Sequence, residues 1–382
     1  MKVSMIALLS ASAVFTDAFI PTIHSSKSSS LFLATTIAPP TTTVPVNPEM
    51  TGIQEPACLD TARRMVRTPV PVSTDIHPEG QVGISYAFWP SPQRSVLPPV
   101  VMIHGFDSSC LEYRRLGARL AERGIDTYAV DLLGWGFTQL DGTNFSAQAK
   151  IEALQSFLET VVGKDYILAG ASLGGAAAIE VASISESCRG LVLIDAQGFV
   201  DGIGPMAAMP KPIAKLGVGV LKSIPLRSSA NQMSYYDKAT YATDEAVIVG
   251  RVHCLQDGWS DALVSFMQSG GFSPSSKIPK IQAPTLVLWG RQDGILDGAE
   301  FAPKFLESLQ DARLQWIEEC GHVPHLEQPD QTADAILAFA KDTIGSSSDS
   351  AFINNKQKLY PFGLALFGVV AGSAAVNFLP LF

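Results

Sequence analysis

The stretch Gly170-Ala171-Ser172-Leu173-Gly174 decides the expected fold and chemistry of this chain. A short apolar run at 166–169 precedes it, and an alanine-rich segment at 175–182, which favours helix, follows it. Glycines two residues on either side of a serine let a strand turn sharply into a helix and expose the serine hydroxyl at the bend. The pattern alone is weak evidence, because such short motifs also arise by chance. The rest of the chain must therefore support Ser172 as a nucleophile.

A catalytic acid and base for Ser172 are expected later in the chain, because the triad that accompanies this elbow runs in the order serine, acid, histidine. Asp293 follows the apolar run 285–288, and His322 follows the run 314–317. Asp293 would fix the tautomer of the His322 ring, and His322 would take the proton of Ser172 and return it to the leaving group. The sequence therefore predicts Ser172, Asp293 and His322 as the catalytic residues.

Two neighbouring residues are alternatives for these roles. His325 competes with His322 as the base, but it stands where a helix is expected to begin. Asp297 competes more weakly with Asp293 as the acid, because it lies farther from the end of the strand. Both alternatives stay open at the level of the sequence.

The tripeptide His104-Gly105-Phe106 follows an apolar run at 98–103 that predicts a buried strand. A glycine at this point lets the chain bend so that a backbone N–H faces the elbow. We expect the N–H groups of Phe106 and Leu173 to form an oxyanion hole for a tetrahedral intermediate. His104 precedes the bend, so its side chain is expected to support the loop through hydrogen bonds.

Short β-rich runs alternate with amphipathic helical segments over residues 56–345, which predicts an α/β fold with a mostly parallel sheet and helices on both faces. The motif residues fall where the predicted strands end, and ligands of such sheets bind beyond the carboxyl ends of the strands. The segment at about 199–280 interrupts the alternation and is apolar and helical in pattern. It predicts a helical cap inserted into the domain.

Together these motifs resemble the α/β-hydrolase superfamily over about 98–340. The motifs that carry the resemblance are the G-x-S-x-G elbow, His104-Gly105-Phe106, Asp131-Leu132-Leu133-Gly134-Trp135-Gly136, Gly321-His322 and the later Glu327 with Pro329. The resemblance implies the α/β-hydrolase fold and serine ester hydrolase activity. Serine in place of aspartate at the elbow excludes the ester-forming aspartate chemistry of epoxide hydrolases and haloalkane dehalogenases.

Further stretches are similar to plastid α/β-hydrolases of the chlorophyll dephytylase type, over about 98–329. They are 104–112 (HGFDSSCLE), 221–227 (LKSIPLR), 250–254 (GRVHC) and 265–271 (SFMQSGG). This resemblance implies a carboxylic ester hydrolase that cuts the phytyl ester of chlorophyll or a related chlorin. The apolar cap over a serine nucleophile separately favours an apolar ester substrate.

Two other functions stay open. A plastid lipase or acyl esterase acting on glycerolipids would use the same catalytic residues on a different substrate. A non-catalytic ligand receptor on a hydrolase fold would belong to another functional class. The sequence contains no metal cluster, phosphate loop or dinucleotide fingerprint, so no cofactor or metal is expected.

Charge and cysteine content narrow the range of partners. The chain has 382 residues, is 47% hydrophobic and carries a net charge of −9 without a block of lysine or arginine. A nucleic-acid partner would need a concentrated positive face, so it is not expected. The five cysteines are odd in number and widely spaced, which indicates free thiols in a reducing compartment.

Both ends of the chain are set apart from the body. Residues 1–18 predict a signal peptide, and 19–55, rich in serine and threonine, predict a transit-like leader of the kind that directs proteins to plastids of secondary origin. Ordinary secretion or an endomembrane location is the alternative. Residues 346–358 predict a flexible linker, and the 24 uncharged residues 359–382 predict a membrane anchor, with a helix packed on the domain or on an apolar partner as the alternative.

Overall fold

The computed structural model describes residues 42–44, 50, 52–163 and 165–345. These residues form a nine-stranded sheet in the order β1-β2-β3-β5-β4-β6-β7-β8-β9. The strands are β1 Thr42–Thr43, β2 Met65–Pro71, β3 Gln81–Trp89, β4 Val100–Ile103, β5 Thr127–Val130, β6 Tyr166–Ala171, β7 Cys188–Ile194, β8 Thr285–Gly290 and β9 Ala312–Ile317. The helices are α1 Pro56–Arg64, α2 Leu116–Glu122, α3 Ala147–Phe157, α4 Leu173–Ala182, α5 Lys211–Leu221, α6 Ile224–Ser234, α7 Lys238–Tyr241, α8 Asp244–Arg251, α9 Trp259–Gln268, α10 Gly298–Ser308, α11 Pro324–Glu327 and α12 Pro329–Gly345.

The register of the parallel strands gathers their carboxyl ends at one edge of the sheet. β4 to β9 are parallel to one another, whereas β1, β2 and β3 pair in antiparallel fashion. Ile103 pairs with Gly170, and Ile194 pairs with both Ala171 and Leu288. The chain passes from β4 to β5 on one side and returns to β6 on the other, so the gap between β4 and β6 is the point at which such sheets bind ligands.

The core lies on both faces of the sheet. β4 shows this most simply, because all four of its side chains are buried. Val101 and Ile103 belong to one hydrophobic cluster, and Val100 and Met102 belong to the other. Helices α3, α4 and α10 contribute to the first cluster, and α2 and α12 to the second. The predicted α/β fold with helices on both faces is therefore confirmed.

The inserted segment between β7 and β8 is helical, as predicted. It contains α5 to α9 and three short 3-10 helices, Gly204–Ala208, Val252–Leu255 and Ser275–Lys280. We call residues 199–280 the cap and the rest of the domain the body. Within the described residues, no helix is both long and apolar enough to cross a membrane.

Two elements have unusual local features. β2 carries two prolines, Pro69 and Pro71, which are rare inside strands. They are tolerated because β1, with only two residues, leaves most of the outer edge of β2 unpaired. The helical pattern at 111–123, with Leu116 and Leu120 on one face, predicts one continuous helix. The structure has a 3-10 turn at Cys110–Tyr113 followed by α2, and the Tyr113 hydroxyl donates to the Ile103 carbonyl across this break.

The folded region begins before Pro56, the predicted start of the domain. β1 pairs with β2, and Val44, Met50 and Ile53 are buried against the body. The predicted signal peptide 1–18, much of the leader 19–55, the linker 346–358 and the apolar segment 359–382 lie outside the described residues. The described part of the leader segment is thus packed on the domain that follows it.

Candidate active site

Ser172 occupies the junction of β6 and α4 with a strained backbone. Its φ of 51° and ψ of −122° lie in a region that residues other than glycine rarely adopt. Such a conformation costs about 1–3 kcal/mol and persists only where the surroundings enforce it. The backbone is held because the Ser172 N–H donates to the Ile194 carbonyl at 3.0 Å and the Gln197 N–H donates to the Ser172 carbonyl at 2.9 Å.

The two glycines of the elbow allow its close approach to β4. A side chain at Gly170 would overlap the backbone carbonyl of Gly174. A side chain at Gly174 would overlap the carbonyl oxygens of Ile103 and His104. The G-x-S-x-G spacing is therefore required by packing as well as by the turn.

The side chains of Asp293 and His322 are hydrogen-bonded to each other. Asp293 Oδ2 lies 2.8 Å from His322 Nδ1. Asp293 Oδ1 accepts from the N–H groups of Ile295 and Leu296 at 2.7 and 3.0 Å, which fixes the carboxylate. Burial alone would raise the pKa of Asp293, but the His322 ring and these N–H donors outweigh it and hold the pKa below its usual value. Asp293 is therefore an ionised partner that orients the imidazole.

The loop that carries His322 is tied to the cap. The His322 N–H donates to the Ser234 carbonyl at 2.7 Å. The buried Glu327 carboxylate accepts from the N–H groups of Gly321, Tyr236 and Asp237 at 2.7, 3.1 and 2.6 Å. The end of α6 and the His322 loop therefore form one bonded unit, which we call the histidine clamp.

Ser172 and His322 line the same cavity, which has a volume of about 220 Å³. Gly105 and Phe106 line it as well, and a side chain at Gly105 would lie 3.4 Å from Ser172 Cβ, so the β4 loop touches the elbow. Leu173 is the first residue of α4, so its N–H has no acceptor within the helix. Cap residues that line the cavity include Leu221, Arg227, Ala230, Met233, Tyr235 and Val247.

The two alternative residues make other contacts. His325 is fully buried, its Nε2 lies 3.1 Å from Glu112 Oε1, and its ring is 4.9 Å from that of Tyr113. Asp297 caps α10 by accepting from the N–H groups of Ala299 and Glu300. Neither arrangement supports a role beside Ser172, so the geometry favours Asp293 and His322.

His104 supports the β4 loop by bridging two backbone groups. The Leu132 N–H donates to His104 Nε2 at 3.1 Å, so the ring proton resides on Nδ1, which lies 2.8 Å from the Gly105 carbonyl. Burial lowers the pKa of His104 and keeps the ring neutral. The loop that carries Phe106 is thereby held against the chain after β5.

Asp107 is a buried residue of the site that the motif reading missed. It follows Phe106 with a φ of 46° and forms an ion pair with Arg227 of α6. Its Oδ1 accepts from Trp259 Nε1 at 2.8 Å and lies 3.3 Å from His253 Nε2. We call these four residues the cap seam, because they join the loop of Phe106, the predicted oxyanion loop, to three elements of the cap. The stretches 104–112, 221–227 and 250–254, which carry the resemblance to dephytylase-type hydrolases, contain Asp107, Arg227 and His253. Nothing in the sequence indicated that these three side chains meet.

Asp195 is a second carboxyl group beside the hydrogen-bonded pair of Asp293 and His322. Its φ is 43°, and its Oδ1 accepts from the Gly290 N–H at 2.9 Å. One side-chain polar atom from each of Asp195, Asp293 and His322 lies within 4.8 Å of the other two. Burial, and then the charge of Asp293, raise the pKa of Asp195 well above its usual value. Asp195 directly follows β7, as Asp293 follows β8, and this shared placement was the signal that could have found it.

Comparisons with known proteins agree with this geometry. A family profile described as the alpha/beta hydrolase family matches residues 100–335. The alpha/beta hydrolase domain-containing protein VTE7 of Arabidopsis thaliana is 36% identical over 294 residues, covering 76% of this chain and 88% of that protein.

Two further relatives are hydrolases. Lipase 1 of Psychrobacter immobilis is 27% identical over 252 residues, covering 63% of this chain and 76% of the lipase. The solved structure of a serine hydrolase involved in carbazole degradation has a TM-score of 0.56 and 26% identity, covering 72% of this chain and 99% of that one.

Proposed function

Because this chain belongs to the alpha/beta hydrolase family, we propose that it is a serine carboxylic ester hydrolase in which Ser172, His322 and Asp293 are the catalytic residues. The observation that carries the proposal is the 2.8 Å contact between Asp293 and His322 at a cavity that Ser172 also lines. The alternative of a non-catalytic receptor gives no reason for a strained serine that lines the same cavity as His322.

The reaction follows from the groups at the cavity. His322 takes the Ser172 proton while Ser172 Oγ bonds to the acyl carbon, and the carbonyl π electrons move to oxygen. The N–H groups of Phe106 and Leu173 stabilise that oxyanion. The intermediate collapses, the C–O bond to the alcohol breaks, and His322 protonates the departing alcohol. His322 then deprotonates a water molecule, whose oxygen bonds to the acyl carbon. The bond from that carbon to Ser172 Oγ breaks, and His322 returns the proton to Ser172 as the acid leaves.

For the substrate we propose an ester of a long isoprenoid alcohol with a chlorin acid, such as chlorophyll or pheophytin. Support comes from the resemblance of the body and cap to dephytylase-type enzymes and from the apolar side chains that the cap contributes to the cavity, Leu221, Met233 and Val247. A glycerolipid acyl ester is the second candidate, because a lipase is among the relatives of this chain.

The experiment is to incubate the purified full chain separately with chlorophyll, pheophytin and a plastid galactolipid and to quantify the free acid products. We expect chlorophyllide or pheophorbide, and no product from Ser172→Ala. Release of fatty acid alone would select the glycerolipid candidate. A fluorophosphonate probe that failed to label Ser172 in the folded chain would favour the receptor.

The location we propose is the plastid, with a processed leader and a membrane anchor at 359–382. Support comes from the acid-poor leader and from the uncharged tail that follows Lys358. A fluorescent fusion of the full chain that entered the secretory pathway instead of the plastid would contradict it. Carbonate extraction of membranes, comparing the full chain with one ending at Gly345, tests the anchor.

A further inference from the structure

We propose that the outer face of the cap docks on an anionic lipid bilayer. The face consists of Ile213, Leu216 and Val220 of α5 and Ile224 of α6, which we call the cap face. These side chains are 56%, 75%, 55% and 57% exposed, respectively. The inference rests on the proposed function, in which the substrate is an apolar ester dissolved in a membrane.

The cap face is the side of α5 turned away from the protein. The opposite side buries Ala214 and Val218 completely, and α5 packs there against α9. Ile213, Leu216 and Val220 stand at i, i+3 and i+7, so they form one stripe along the helix. An exposed apolar stripe on a short helix is typical of a segment that lies in a membrane interface.

The positive charges around the cap face favour a negatively charged lipid surface as its partner. Residues 202–236 contain no acidic residue, and Lys211, Lys215 and Lys222 lie exposed in this segment of a chain with a net charge of −9, whereas Arg227 is paired with the buried Asp107. Lys215 pairs with Asp261 at 2.6 Å, which leaves the positive charge in excess. Basic residues beside an apolar stripe favour a negatively charged lipid surface. A second copy of the chain would instead bring these lysines against one another across a two-fold interface.

The cap face is continuous with the cavity that Ser172 lines. Leu221, the last residue of α5, lines that cavity. Met233 of α6 also lines it and is itself 47% exposed. Apolar side chains of α5 and α6 therefore occur both on the cap face and in the lining of the cavity, so docking would bring this side of the cavity toward the membrane.

A fluorescent label at position 216 tests the contact directly. All five native cysteines are buried, so an environment-sensitive fluorophore reacts selectively with Leu216→Cys in the full chain. The matched control is Val96→Cys, which is 88% exposed but precedes β4, at the edge of the sheet opposite the cap. We expect a blue shift at position 216 on adding phosphatidylcholine vesicles, larger when phosphatidylglycerol is included, and none at position 96.

Equal shifts at both positions, or no shift at 216, would overturn the proposal. A blue shift at 216 that grows with protein concentration without vesicles would identify a second copy of the chain as the partner and would overturn it as well. These readouts do not depend on catalysis, so they remain valid if the proposed activity fails.

Charge substitutions test the consequence for turnover. Leu216→Glu should lower the hydrolysis of a vesicle-borne ester at least about tenfold, because a charge replaces an inserted apolar group and opposes anionic lipid. Hydrolysis of a water-soluble short-chain nitrophenyl ester should stay unchanged, and Val96→Glu should change neither rate. Equal loss on both substrates would show damage to the cap itself and would contradict docking through this face.

Discussion

Ser172 holds a backbone conformation that glycine adopts without strain, and this allows the cost of the elbow to be measured. Ser172→Gly should be more stable than Ser172→Ala by about 1 kcal/mol, because both lack the hydroxyl but only glycine accepts a φ of 51° freely. Urea unfolding of the two variants measures the difference. Equal stability would mean that the elbow relaxes when the hydroxyl is removed.

Asp293 and Asp297 form a matched pair for testing the acid. Asp293→Asn should lower kcat by about 10⁴-fold, because an amide favours the wrong tautomer of His322. Asp297→Asn removes only the charge of the α10 cap and should leave kcat nearly unchanged. Steady-state kinetics on a soluble ester distinguishes them. A larger loss in the Asp297 variant would reassign the acid.

The predicted catalytic residues and Asp107, which the sequence did not single out, differ in how the fold brings them to the site. Ser172, Asp293 and His322 each follow a predictable strand, so their proximity follows from the topology of a parallel sheet. Asp107 is held by partners more than a hundred residues away, on cap helices whose packing against the body no periodic pattern predicts. Its ion pair with Arg227 could therefore be recognised only in the structure.

At the scale of elements, the cap seam fixes how the oxyanion loop meets the cap. Burial alone would raise the pKa of Asp107, but the Arg227 and His253 charges hold it below its usual value. Asp107→Asn should lower the free energy of unfolding by about 3–5 kcal/mol, because it leaves the Arg227 guanidinium without its buried partner. Guanidinium unfolding measures it, with Asp141→Asn, an exposed residue, as the control.

The seam also predicts a dependence of stability on alkaline pH. Burial alone would lower the pKa of His253, but the Cys254 sulfur and the Asp107 carboxylate raise it to about 10. The pKa of a histidine in the unfolded chain is about 6.5. The stabilising contribution of charged His253 is therefore fully present below that pH and is lost as the pH rises toward the pKa of His253 in the folded protein. Thermal unfolding between these limits should show this loss, and His253→Gln should remove this component of it. An identical pH profile in both proteins would contradict a charged His253.

The elements themselves were predictable wherever hydrophobic periodicity was strong. β4 and β6 are apolar throughout and were recognised as buried strands. β2 was not among the predicted strands. It contains two prolines, which are rare in strands, and its pairing with β3 is not signalled by its own sequence. The break before α2 was missed because it depends on a single hydrogen bond from Tyr113 to β4.

At the scale of the whole molecule, the described residues just before α1 are part of the folded protein. Glu55 accepts from the Arg114 and Arg115 side chains at 2.7 and 2.6 Å, and Ile53 is buried. A chain beginning at Pro56 should therefore be less stable than one beginning at Pro39, by roughly 3 kcal/mol or more, because the buried Arg114 loses its carboxylate. Differential scanning calorimetry of the two chains tests this, and equal transition temperatures would contradict it.

The composition of the chain predicted the class of the molecule but placed this boundary too late. The serine-rich and threonine-rich stretch up to residue 55 lacks a periodic apolar pattern, so nothing in it indicated packing. Among its described residues, the strand β1, the buried side chains of Val44, Met50 and Ile53, and the Glu55 ion pairs hold it to the body. These contacts depend on distant partners, so they are visible only once the rest of the fold is in place.

The histidine clamp restricts how the cap can move when a substrate enters and a product leaves. Residues 234–237 are bonded to the loop of His322, so a swing of the cap about its far side would pull the imidazole out of line with the nucleophile. Substrate entry that leaves residues 234–237 in place would have to use the side of the cap formed by α5 and the start of α6. In that case the entry route and the support of His322 belong to separate parts of the cap, so a bulky ester would enter without displacing the imidazole.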